Sequence, residues 1–460
     1  MSKKAGDMTV GTPWKLILQF AVPMIVGNVI QQIYSMVDSI VVGRFVGKEA
    51  LAAIGATQGV TFLMICLIIG LTMGTGIVSS QYYGAKNEEK IHACVGASLW
   101  ISIGASIFIG LLSALIADPV LSFLGTPDEI FNDAKIYMII SMAGSVGPVF
   151  YNSCAALMRS LGDSSSQVYG LVISSVLNII LDLIFVIAFG LGVVGVGVAT
   201  VISQIVSFLV CLVLMYKKHP ELHLRKENIR PDGHIVWRII SVGIPMSLQN
   251  CVTSIGMMAV QSVINSYGTD TIAGYTAANK IDQIALMPIN SIGMAFSTYV
   301  GQNYGAKKMQ RIRQGLKSGV VVSLIVSVIV GLFILITASP LTALFGFPKG
   351  TSVNSVACEY LRIVAVTYWI AGLMYIFLNL FRGMGRMTLP TIAACLEPLS
   401  KIAGAIILGQ IIGRIGIWIS WPIGWTLAFF VPFIVYIATR KKLFNFNGGL
   451  HSETQDNQTL

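Results

Sequence analysis

Charge is scarce in this chain. Asp, Glu, Lys and Arg make up 11% of its 460 residues, against roughly 25% in soluble domains, and that shortage excludes a soluble enzyme. Cysteine builds no framework either: Cys66, Cys94, Cys154, Cys211, Cys251, Cys358 and Cys395 stand singly, with no CxxC pair among them, so neither a zinc site nor a disulfide frame is expected. The five histidines (His92, His219, His223, His234, His451) fall in or beside the segments read below as cytoplasmic. HExxH, GxSxG, Walker A and Asp-rich prenyl-diphosphate motifs are missing, which argues against a membrane enzyme and an ATP-driven pump. The apolar–polar alternation of a barrel strand is missing too. No cleavage-like segment follows the first apolar run, so that run is expected to be the first span.

What the chain has is hydrocarbon. It is 55% hydrophobic, with a mean hydropathy of +0.78. Twelve apolar stretches each approach the roughly 20 residues that cross a bilayer. They lie at about 14–42, 51–79, 92–117, 133–158, 168–190, 193–216, 236–265, 272–300, 315–338, 355–381, 389–410 and 415–438. The formal charge of +10 comes from Lys and Arg placed in alternate loops, 22 against 4. Such asymmetry sets orientation and predicts that both termini are cytoplasmic. The basic balance is therefore topological, and no nucleic-acid partner is expected.

The chain also says nearly the same thing twice. Gln81-Tyr82-Tyr83-Gly84-Ala85-Lys86 returns as Gln302-Asn303-Tyr304-Gly305-Ala306-Lys307, an offset of 221. Gly47 pairs with Gly268, Ala52 with Ala273 and Met73 with Met294 at that same offset; with slips of one or two residues, Pro23 pairs with Pro245 and Arg159 with Arg382. Duplicated apolar halves are the footprint of a transporter built from repeats. Six spans per half return the chain to its starting side, so the halves share one orientation and are related by an axis along the membrane normal. The expected organisation is an N-lobe over 1–216, a cytoplasmic linker over 217–234, a C-lobe over 235–442 and a disordered cytoplasmic tail over 443–460. The linker is polar and long enough to let lobes move. Pro23 and Pro245, at matching depths, are expected to bend spans one and seven.

Ionisable groups inside spans are expensive and therefore informative, at about 2.5 kcal/mol or more for a carboxylate. Asp38 lies toward the outer part of span one and Asp182 in the body of span five. Asn178 precedes Asp182 by four residues, so the two share a helix face. Such a pair suits a small hard cation bound through oxygen, and equally a carboxyl that takes up a proton. The second half does not repeat it: Asn178 aligns with Lys401, Asp182 with Ala405 and Asp38 with Val260. There, Glu397 with Lys401 and Glu359 with Arg362 read as self-neutralising pairs, while Lys280 and Asp282 face different sides of their helix. Amides and methionines dot spans one, seven and eight, and Gln31, Gln32, Asn250, Met257, Asn279 and Met287 are candidates for a substrate cavity that accepts many apolar shapes. Without a nucleotide motif, energy would come from an ion gradient.

Over about 14–440 the chain resembles the multidrug and toxic compound extrusion (MATE) family. The likeness rests on the 6+6 repeat, Val37-Asp38-Ser39 with Gly43-Arg44 after it, the repeated Gln-x-Tyr-Gly-Ala-Lys, and Leu177-Asn178 followed by Asp182. It implies an all-α membrane protein of two six-helix lobes enclosing a cavity that opens alternately to the two sides. It further implies a secondary antiporter, not an enzyme, in the bacterial inner membrane. Amphiphilic, often cationic, organic compounds would leave in exchange for H+ or Na+, with no cofactor and no metal beyond a possible Na+ at Asp182. The family's first-lobe cation site maps onto Asp38, Tyr137, Asn178, Asp182 and Thr200. A single chain is expected to suffice. A lipid or oligosaccharide flippase of the same superfamily is the rival reading.

Overall fold

The computed structural model describes residues 6–444; of the tail expected over 443–460, residues 443 and 444 belong to the last helix and 445–460 lie outside the described residues. Thirteen α-helices follow one another: α1 Pro13–Val41, α2 Lys48–Gly84, α3 Glu88–Phe123, α4 Asp128–Ala143, α5 Val146–Ser160, α6 Ser166–Leu183, α7 Gly192–Lys218, α8 Gly233–Asn265, α9 Thr269–Gly305, α10 Met309–Ala343, α11 Ser352–Gly383, α12 Thr388–Ile412 and α13 Arg414–Phe444. They supply 12 segments long and apolar enough to cross a membrane, and no strand occurs among the described residues. Span four is made of two helices, α4 and α5, parted at Gly144–Ser145. The break brings the chain against α7, where a Cβ on Gly144 would lie 2.1 Å from Val201 Cγ2. Spans one and five each end in a π-helical turn, Val42–Val46 and Ile184–Ala188. Pro23 lies inside α1 and Pro245 inside α8, and both helices run through them without interruption.

The helices gather into two compact units, one of Gln19–Ser79 with Glu88–Ile255, the other of Met1–Leu18, Ser80–Asn87 and Gly256–Leu460. Apolar side chains gain nothing by leaving lipid for one another, so membrane helices associate through small residues that permit close packing. In the first unit α2 meets α8 this way: a Cβ on Gly70 would strike the Ser247 backbone at 2.3 Å, and one on Gly74 the Ile239 carbonyl at 2.6 Å.

In the second unit the repeated motif explains itself. A Cβ on Gly84 would fall 1.8 Å from the Gln302 carbonyl oxygen, and one on Gly305 would fall 1.7 Å from that of Gln81. Each glycine thus admits the other copy's glutamine backbone. Lys86 and Lys307, two residues on, both adopt left-handed backbone (φ 56° and 58°) and close matching turns. Met8 N–H donates to Gln302 Oε1 (2.8 Å) and Arg311 to the Gly11 carbonyl (2.9 Å), fastening the segment before α1 to the end of α9 and the start of α10.

The stretch 217–234 is not a loose tether. It forms short 3-10 turns at Pro220–Leu222 and Lys226–Asn228 and lies along α3 within the first unit. The His92 ring bonds the His223 carbonyl (2.7 Å), Trp100 Nε1 donates to the Ile229 carbonyl (2.6 Å), and Lys90 pairs with Asp232 (3.1 Å).

Candidate ion-coupling site

Four helices of the first unit bring the expected residues together. Asp38 and, one turn earlier, Tyr34 come from α1, Tyr137 from α4, Asn178 and Asp182 from α6, and Thr200 from α7. Close approach makes this possible. Gly197, one turn before Thr200, lets α7 sit against Tyr137 and Ile140 (3.6 and 3.1 Å from an added Cβ), Gly170 lets α6 meet Ser207 of α7 at 3.0 Å, and Gly27 lets α1 meet Val168 of α6 at 3.3 Å.

Asn178 and Asp182 are fully buried. The hydrogen-bond network sets the Asn178 amide with its nitrogen toward the acid: it donates to Asp182 Oδ2 (2.8 Å) and to the Tyr34 hydroxyl (3.1 Å), while its oxygen accepts from the Thr200 backbone N–H (3.2 Å). The reversed amide would keep only a 3.5 Å contact to the Thr200 hydroxyl. The Asp38 and Asp182 carboxyls lie within reach of one another, and the Tyr137 hydroxyl lies in the field of both. Asp38 Oδ1 and Asp182 Oδ1 are shut off from solvent and accept from no group among the described residues. No lysine or arginine among those residues pairs with either acid. Two facing acids in a low-dielectric interior repel strongly when both are ionised, and a proton or small cation held between them removes that repulsion.

Tyr34 was absent from the expected set, although its spacing of four from Asp38 places both on one face of span one. The amide turns its carbonyl away from Asp182, toward the Thr200 backbone N–H.

The charges of the other unit are satisfied differently. Asp282 is buried and accepts from the Tyr368 (2.7 Å) and Tyr360 (3.0 Å) hydroxyls. Lys401 bonds Glu397 at 2.6 Å, with its ammonium 5.5 Å from the Trp421 and Trp425 ring centres. Lys280 is exposed where Asp282 is buried. One expected pairing is corrected. Glu359 binds Arg414 at the start of α13 (3.0 Å) and not Arg362, because packing against a neighbouring helix offers it a guanidinium in better position than the one on its own helix.

A family model described as MatE matches the chain twice, at residues 23–184 and 245–407. The chain belongs to the MATE family. Both copies of the repeat carry the match, the first ending just past Asp182. Among MATE relatives, the probable multidrug resistance protein YoeA of Bacillus subtilis (strain 168) is 27% identical over 439 residues, covering 93% of this chain and 94% of its own. The probable multidrug resistance protein NorM of Thermotoga maritima is 25% identical over 448 residues, covering 94% and 92%. Among solved structures, an outward-facing conformation of a multidrug resistance MATE family transporter of the MOP superfamily matches with a TM-score of 0.89 at 25% identity, over 97% of this chain and all of that one. A MOP superfamily transporter from Pyrococcus furiosus, for which the polarity of the binding pocket is said to be reversed, matches with 0.88 over 96% and 99%. This MATE protein is thus a multi-pass membrane transporter. Of its six candidate cavity residues, Gln31, Gln32 and Asn250 belong to the first unit and Met257, Asn279 and Met287 to the second.

Proposed function

We propose that this MATE-family protein is a secondary active antiporter of the bacterial plasma membrane. It exports amphiphilic, often cationic, organic compounds by alternating access in exchange for H+ or Na+, acting as a single chain with both termini cytoplasmic. Relatives named for multidrug resistance in Bacillus and Thermotoga support the substrate class, and the Lys and Arg distribution supports the orientation.

One observation carries the reading: two carboxyls within reach of each other, each with an orphaned buried oxygen, and no basic partner among the described residues. Buried charge without a protein counter-charge is tolerated where a mobile ion supplies it. The amide favours H+ over Na+. Asn178 gives its N–H groups to Asp182 and Tyr34, so presenting its oxygen to Na+ would sacrifice both bonds, whereas a proton shared by the carboxyls leaves them intact. In the exchange, Asp38 and Asp182 take up the ion, Asn178 and Tyr34 orient Asp182, and Tyr137 and Thr200 close the surroundings. Loading removes negative charge beside span one and weakens the hold on a cationic substrate.

The test is transport of a cationic dye in proteoliposomes at fixed pH, with and without sodium, for the wild type and Asp182→Asn. Export driven by a proton gradient alone is expected in the wild type and lost in the variant, with insertion and monodispersity unchanged. Undiminished export by Asp182→Asn would refute the assignment. Gradient-independent movement of lipid would favour the flippase.

A further inference from the structure

Just beyond each of the two acids the helix changes winding. Val42 follows Asp38 by four residues and opens the π-helical turn Val42–Val46; Val186 follows Asp182 by four and sits in the π-helical turn Ile184–Ala188. The two turns touch one another and the start of α7. Their i→i+5 bonds run from Gly47 N–H to the Val42 carbonyl (3.2 Å) and from Phe189 N–H to the Ile184 carbonyl (3.1 Å). Such turns are rare, concentrate at functional positions and mark places where the ordinary ladder is already disturbed. Two of them, paired, each placing a valine four residues beyond one of two facing carboxyls, make a mechanically soft collar on that side of the site.

The collar is filled with small and β-branched apolar side chains. Val42, Ala50, Val186, Val193 and Val196 form one buried cluster, and the Tyr137 ring packs against it. Tyr137 therefore belongs to both the cluster and the ion site. On the far side of the cluster lies a cavity of about 230 Å³, open to solvent, whose wall includes Val46, Ala50 and Val193. Among the described residues its charged lining is the exposed pair Glu49 and Asp133. Along both span one and span five the order is the same: acid, valine of the π turn, cavity. The cavity is on the side opposite the Lys- and Arg-rich loops, hence outside.

We propose that the two π-helical turns and their valine cluster are the outer gate of the ion path, and that the Glu49–Asp133 cavity gathers monovalent cations before it. The idea rests on Asp38 and Asp182 being the coupling acids. When the turns rewind toward α-helix, the valines and the Tyr137 ring shift in register and the cavity becomes continuous with the site. When they return, a few methyl groups exclude water and leave the carboxyls dry. The apolar gate sets the rate of access, and the two exposed acids raise the local concentration of cations against anions.

The test reads access instead of transport, so it does not depend on what the acids do. In proteoliposomes, a cysteine placed by Thr200→Cys is labelled from outside with a cationic methanethiosulfonate, with the unsubstituted chain as background. Trimming the gate with Val186→Ala plus Val196→Ala is expected to speed labelling by about tenfold, and Val196→Ile to slow it. Glu49→Gln with Asp133→Asn, which alters only exposed side chains and keeps the test valid where a valine variant fails to fold, is expected to slow the cationic reagent by about tenfold while sparing an anionic one. Equal labelling rates across the gate variants, or equal loss for cationic and anionic reagents, would overturn the gate. A gate that behaves as expected while Asp182→Asn still exports fully would instead overturn the coupling assignment.

Discussion

Alanine at Gly305 tests the helix crossing most directly. Elsewhere in a helix, Gly→Ala stabilises by about 1 kcal/mol. Here the added Cβ would lie 1.7 Å from the Gln81 carbonyl oxygen, whereas non-bonded contact needs about 3.5 Å, so α2 and α9 must part by about 2 Å. Overpacking of that kind costs about 1–3 kcal/mol. The separation also strains the bonds from Met8 N–H to Gln302 Oε1 (2.8 Å) and from Gln81 Nε2 to the Gly383 carbonyl (3.0 Å), each worth about 1 kcal/mol. Set against the propensity gain, the net loss is about 2–4 kcal/mol, which lowers the melting temperature of a chain this long by roughly 2–4 °C. Thermal unfolding in detergent measures it. Gly104→Ala in α3, where a Cβ meets nothing within 4 Å, is the control and is expected to melt no lower than the wild type. Gly84→Ala and Gly305→Ala together are expected to cost less than the sum of their separate effects, because the first Cβ makes room for the second. A Gly305→Ala protein melting with the wild type would show that the crossing is looser than described.

Other consequences are checked more simply. Tyr34→Phe removes one acceptor of the Asn178 amide, at about 1–2 kcal/mol, so the external ion concentration that half-saturates exchange is expected to rise about tenfold in flux assays. Lys401→Met leaves Glu397 largely buried and unpaired, a loss of about 3–5 kcal/mol; adding Glu397→Gln is expected to restore most of the melting temperature. Asp163 accepts from the Ser165 and Ser166 N–H groups (3.0 Å each) and pairs with His219 at 2.9 Å. Burial alone would raise its carboxyl, but the bonds from His219 and Ser166 outweigh burial and hold it well below the usual carboxylate range. A depressed carboxyl stabilises above its ordinary pKa of about 4 and loses that contribution as pH falls further. Asp163→Ala is therefore expected to cost about 1–2 kcal/mol at pH 7, and its melting curve to converge with the wild type in acid; a gap unchanged by acid would argue against the depressed carboxyl.

Much of this architecture was readable from residues alone, because a bilayer leaves few choices. Span count follows from apolar run length, and Asn178 with Asp182 from a spacing of four. Tyr137 and Thr200 came by resemblance, since nothing local marks one tyrosine or threonine in an apolar helix as a site member. Tyr34 sat on the right face and was legible by the same spacing rule that gave Asn178. What stayed hidden depends on neighbours distant in sequence. Arg414 reaches Glu359 from 55 residues away, and the amide's orientation follows from Thr200 and Tyr34 on two other helices. The π-helical turns have no signature either: Val42-Gly43-Arg44-Phe45-Val46 and Ile184-Phe185-Val186-Ile187-Ala188 would pass for ordinary helix ends.

The crossing of Gln81–Gly84 with Gln302–Gly305 carries a historical implication. Contacts in which position i of one copy meets j of the other, and j meets i, are what a self-associating half-length polypeptide makes with its twin. Such an embrace needs no invention after fusion; it survives joining unchanged. Once the two copies travel on one gene product, symmetry is no longer compulsory, and one of them is free to tie its buried Asp282 to tyrosine hydroxyls while the other leaves oxygens of Asp38 and Asp182 without a donor among the described residues.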